Sequence, residues 1–116
     1  MFERQIYAAF NEDGIDVYQA FHRTIVDAAL LKGTFGEGFQ MNRMTWIKPS
    51  FGWMLYRSGY AAKPNQEAIL RIRLSHLGFL FILRESVQTT YNPHVYSSEA
   101  QWKSALSRSP VRHQWD

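Results

Sequence analysis

The chain has 116 residues, 46% hydrophobic and 20% charged; that is enough for one core, too short for two ordinary domains, and outside the range of disordered chains. With no cysteine it carries no disulfide framework, thiolate metal site or cysteine nucleophile. The net charge of +3 is too mild to mark a nucleic-acid binder by itself, and no apolar run nears the roughly 20 residues that span a bilayer, so a cytoplasmic chain with no membrane partner is expected.

In chain order, Arg4–Phe10 alternates at Ile6, Ala8 and Phe10 and reads as a half-buried strand. Asn11-Glu12-Asp13-Gly14 breaks it, with Asp13 as a helix N-cap. Between Ile15 and Leu31, apolar residues at Ile15, Tyr18, Phe21, Ile25, Ala28 and Ala29 recur at helical spacing, and Gly33 supplies a left-handed end. Gly33 to Gly38 is a glycine-bearing connection that matches neither the phosphate loop nor the dinucleotide fingerprint.

Arg43–Lys48 reads as a second strand, and Pro49 opens a short helix that turns Phe51, Met54 and Leu55 inward and stops at Gly59. Lys63-Pro64-Asn65 is a turn. Glu67–Leu74 alternates cleanly, with Leu70, Ile72 and Leu74 on one face and Ile69, Arg71 and Arg73 on a wet, basic one beside Glu67. Leu77–Leu83 is apolar throughout and reads as a short helix. Thr89–Tyr96 turns around Asn92-Pro93, and the Ser98-x-x-Gln101 capping box starts a helix to about Leu106. Ser109-Pro110 ends it, and Val111–Asp116 reads as a last strand. The sum is an α+β class: a single small domain over residues 1–116, with a mixed or antiparallel sheet and three to four helices.

Chemistry concentrates between Arg43 and Lys63. There Arg43, Lys48, Arg57 and Lys63 interleave with Trp46, Phe51, Trp53, Tyr56 and Tyr60, joined by Thr45, Ser50 and Ser58. Cations match phosphates, aromatic faces stack on bases or nicotinamide, and hydroxyls bond ribose. A helix start at Pro49 also offers backbone N–H groups to an anion. Set against this, Trp46, Phe51, Met54 and Leu55 read as core. Arg71 and Arg73 read as a solvated sheet face. His22, His76, His94 and His113 are scattered, without metal-ligand spacing, and no serine sits in a nucleophile elbow.

The run Arg43-Met44-Thr45-Trp46-Ile47-Lys48-Pro49-Ser50-Phe51-Gly52-Trp53-Met54-Leu55-Tyr56-Arg57-Ser58-Gly59-Tyr60 resembles the core signature of an uncharacterised family, domain of unknown function four-two-nine-one. Arg4-Gln5-Ile6, Val17–Phe21 and Val111–Asp116 agree with it, apart from His113 where an apolar residue is expected. The resemblance implies a member shortened at its C-terminus, with an open strand edge or core face that favours a homo-oligomer.

More loosely, the order of elements is similar to ADP-ribosyltransferase-like domains. That likeness implies Arg4, Thr45 or Tyr56, and Gln114 as catalytic residues, with NAD as the cofactor and Trp46 or Tyr60 stacking on nicotinamide. Arg43, Trp46, Lys48, Ser50, Arg57 and Tyr60 would bind the ligand. Two alternatives stand beside an NAD- or nucleotide-binding transferase: a non-catalytic nucleic-acid-binding module using the same cations and aromatics, and an inactive oligomerising or interaction domain.

Overall fold

The computed structural model describes residues 6–36, 39 and 45–115. The chain divides into two compact units, Met1–Ser75 and His76–Asp116.

In the first unit, β1 (Ile15–Phe21) pairs antiparallel with β2 (Ala68–Leu74) in an unbroken register from Ile15 opposite Leu74 to Phe21 opposite Ala68. The helix expected over Ile15–Leu31 is therefore a strand for its first seven residues. Residues 15, 18 and 21 satisfy helical spacing, but Val17 and Gln19 are also buried, and Val17 is β-branched, which suits the pleat. The backbone groups of the segment are satisfied by β2, a partner 47 or more positions away that local periodicity cannot see.

The strand ends at His22, whose ring accepts the Thr24 N–H (3.2 Å) as N-cap of α1 (Arg23–Lys32). Gly33 closes α1 in the left-handed conformation, as expected. Phe21, Val26 and Ala68 form the core between β1, α1 and β2, and Phe35 and Phe39, stacked at 4.1 Å, pack against it with Ile25 and Leu70. This aromatic cluster puts Phe21 edge-on to both partners, the arrangement favoured by ring quadrupoles.

The strand expected over Arg4–Phe10 does not form in its described part. Arg4 and Gln5 lie outside the described residues, residues 6–9 are irregular, and Phe10 makes an isolated bridge to Ile15. Asp13 caps no helix; the Asn11 carboxamide oxygen instead accepts the N–H groups of Asp13 (2.9 Å) and Gly14 (3.2 Å), closing a turn. Gly14 is required there because a Cβ would run into the carbonyl oxygen of Leu74.

The second expected strand, Arg43–Lys48, is likewise reduced. Arg43 and Met44 lie outside the described residues, 45–47 are irregular, and only Lys48 pairs, exchanging both backbone hydrogen bonds with Tyr18 (2.7 and 3.0 Å).

α2 (Phe51–Arg57) follows and rests on β1 and β2. It turns Met54 inward, while Leu55 is half-buried and Phe51 is exposed. Its end is a complete Schellman closure: the Gly59 N–H bonds to the Tyr56 carbonyl and the Tyr60 N–H to the Leu55 carbonyl. Unusually, the left-handed conformation then continues, with φ of 64° at Gly59, 59° at Tyr60 and 61° at Ala61. Each non-glycine residue there costs roughly 1–2 kcal/mol.

In the second unit, α3 (His76–Glu85), expected as a helix, is followed by β3 (Ser86–Gln88), a three-residue strand too short to show a period. α4 (Glu99–Arg108) starts at the expected Ser98 cap, and its Gln101 side chain returns to Ser97 rather than to Ser98. β4 (Val111–His113) pairs parallel with β3, so α4 is the crossover of a small βαβ unit. The last strand is thus shorter than expected: Gln114 and Trp115 are irregular, and Asp116 lies outside the described residues. Trp102 on α4 donates its indole N–H to the Gln88 carbonyl (2.8 Å) and fixes the helix to β3. The expected α+β class holds, with four helices among the described residues and strand pairing divided between an antiparallel and a parallel pair.

Candidate functional site

An aromatic and cationic surface surrounds α2. Ser50, β-extended, accepts the Trp53 N–H on its hydroxyl (3.2 Å) and starts the helix. That hydroxyl is a cap, so the anion-holding role expected of the helix start gives way to a structural one, and seven residues make too short a helix to gather a dipole. From the cap, Trp53 and Tyr56 fall three residues apart and share a face. Their rings stack at 5.5 Å with 21° between planes, and both are exposed. Arg57, four residues beyond Trp53, is exposed on the last turn.

Trp46, expected in the core, is 50% exposed, as is Phe51, whose ring meets Tyr18 edge-on at 5.6 Å. The reason lies in the strand that did not form: without a ladder through residues 45–47, nothing draws Trp46 under the sheet. Tyr60 is 70% exposed on the left-handed turn. Neither Arg57 nor Lys63 makes a salt bridge among the described residues. From residue 38 to residue 66 the sequence holds four cations, Arg43, Lys48, Arg57 and Lys63, and no acid, so this stretch of chain is positively charged although the net charge of the whole is small.

The remaining expected site residues fall in both units. Arg4 and Arg43 lie outside the described residues. The Thr45 hydroxyl accepts a hydrogen bond from the buried Gln19 side chain (2.8 Å), which ties the segment before α2 to β1. Lys48 is half-buried and anchored by its backbone to Tyr18. Gln114 is exposed in the second unit, whereas Thr45, Lys48, Ser50, Tyr56, Arg57 and Tyr60 belong to the first. The surface adds Trp53 and Lys63 to the expected ligand-binding set; the signal for Trp53 was its spacing of three from Tyr56 and four from Arg57.

On the other side of the alternation, Arg71 and Arg73 are exposed as expected, but the partner is different. Arg73 donates its Nε–H to buried Asp16 at 2.9 Å. Glu67 instead accepts the Asn65 N–H (3.0 Å). Its own backbone N–H chiefly, then that of Asn65 and the charges of His22 and Arg23, hold its carboxyl below the usual range against the opposing effect of desolvation. Among the described residues no group of histidine, aspartate and glutamate is placed to hold a metal, and no helix is long and apolar enough to cross a membrane.

No curated protein and no solved structure matches this chain. A family model, described as Domain of unknown function (DUF4291), matches residues 5–116, nearly the full length, and the chain belongs to that family.

Proposed function

We propose that this chain is a non-catalytic module that binds single-stranded nucleic acid on the face built by α2, the segment before it and the turn after it. The observation that carries this reading is the exposed Trp53–Tyr56 stack on α2 with Arg57 at its side, in a stretch free of acids. An open aromatic platform suits successive bases, every one of which has a π-face, and the flanking cations track the phosphates. The NAD-dependent transferase reading has less support: the Thr45 and Ser50 hydroxyls already serve Gln19 and Trp53.

The test is a fluorescence-anisotropy titration with a labelled twelve-nucleotide single strand, against NAD, ADP-ribose and ATP as competitors. Saturable binding is expected, with a log–log salt slope of about −2 if Lys48, Arg57 and Lys63 each release one counterion. Trp53→Ala weakens it by roughly 5- to 150-fold, the worth of one stacked base, while the circular dichroism spectrum is unchanged. Saturation by NAD or ADP-ribose without oligonucleotide binding would replace this reading with the transferase one.

A further inference from the structure

We propose that the left-handed turn Gly59–Ala61 is a preformed recognition element, strained so that Tyr60 stands rigidly on the surface as a second stacking platform for a nucleobase. This rests on the nucleic-acid reading above.

Gly59 alone suffices to end α2, since both Schellman hydrogen bonds are made by Gly59 and Tyr60. Two further residues with side chains nevertheless stay at φ of 59° and 61°, a region that such residues enter singly if at all. The surroundings hold them there. Ser58 is 0% exposed; its hydroxyl donates to the Leu55 carbonyl (3.0 Å) and accepts the Ala61 N–H (3.1 Å). Its carbonyl accepts the N–H groups of both Ala62 (3.2 Å) and Lys63 (3.1 Å).

While the Ser58 N–H closes the last helical bond to Met54 (3.0 Å), the hydroxyl and carbonyl of this one buried residue thus hold a conformation that helix termination does not need. Strain held in this way gathers at ligand-binding elements. What the extra residues achieve is a fixed exit for the Tyr60 ring, 70% exposed. The aliphatic stem of Lys63 packs against the turn, with its Cγ 3.2 Å and its Cε 3.6 Å from where a Cβ on Gly59 would stand, so the turn that presents Tyr60 also carries a cation. A ring and a cation on one turn suit a base and its phosphate.

Three variants test this by thermal melting together with affinity for the same labelled single strand. Tyr60→Gly removes strain and ring; a melting temperature higher by about 4 °C and an affinity at least about fivefold weaker are expected. Ala61→Gly keeps the ring, so it melts higher and binds within about threefold of the parent. Tyr60→Phe binds as the parent does. If Tyr60→Gly binds like the parent while Trp53→Ala loses binding, the turn is no recognition element although the platform on α2 stands. A lower melting temperature for Tyr60→Gly overturns the strain argument, and a parent chain that binds no single strand overturns both proposals.

Discussion

Arg73 and Asp16 face each other across β1 and β2, and their pairing shows how a single residue can be legible in kind but not in role. The alternation of β2 marks Arg73 as a residue of the wet face. It cannot show that a carboxylate with 8% side-chain exposure lies opposite. Removing the arginine leaves that carboxylate buried without its charge partner. Arg73→Ala is expected to lower stability in urea by about 2 kcal/mol, below the 3–5 kcal/mol typical of fully buried pairs because the Arg73 side chain is 46% exposed and partly screened. Asp16→Asn, which removes the charge and keeps the shape, is expected to cost less. Equal costs for the two substitutions would show that the desolvated carboxylate is not the source of the penalty.

At the scale of elements, α2 and its closing turn depend on two serines with different duties. Ser50 sits at an exposed cap, one residue after the Pro49 expected to open the helix. Ser58 is fully buried and holds the turn from within. Ser58→Ala leaves the Ala61 N–H without its hydroxyl acceptor, so a loss of about 1–3 kcal/mol is expected in chemical denaturation. Ser50→Ala should cost about 1 kcal/mol. A Ser58→Ala variant as stable as the parent would mean that the left-handed turn stands without this hydroxyl. The sequence marks Gly59 as a helix stop, but nothing local announces that Tyr60 and Ala61 continue left-handed. Their intrinsic preference is the reverse, and hydrogen bonds to a buried neighbour decide the matter.

Across the whole molecule, the two units differ in how much they bury. The first holds Val17, Phe21, Val26, Ala29, Met54 and Ala68 in its interior, whereas Val87 is the one buried hydrophobic residue described in the second. α3 has no buried residue, and Leu77 and Phe81 lie open along it. Local stability follows buried apolar contact. Amide exchange is therefore expected to be slowest in β1 and β2 and at least about tenfold faster in α3 and α4, a difference of 1.4 kcal/mol in opening free energy. Uniform protection across both units would instead mean that they open as one.

The sequence by itself determined the α+β class, the family, the cap at Ser98, the stop at Gly33, the alternation of β2 and the concentration of cations and aromatics around α2. All of these rest on short-range chemistry: side-chain period, a hydroxyl within reach of the next turn, a glycine free of a Cβ. Tertiary structure alone decided that Ile15–Phe21 is a strand, that Trp46 faces outward, that Asp16 is the partner of Arg73 and that Tyr60 is held left-handed. The strand, the ion pair and the left-handed turn each depend on a contact with a residue far along the chain or buried beneath the segment, and Trp46 on a ladder that does not form. The free energy of pairing and burial there exceeds what local preference sets against it, a few tenths of a kcal/mol per residue between helix and strand and about 1–2 kcal/mol for a left-handed residue.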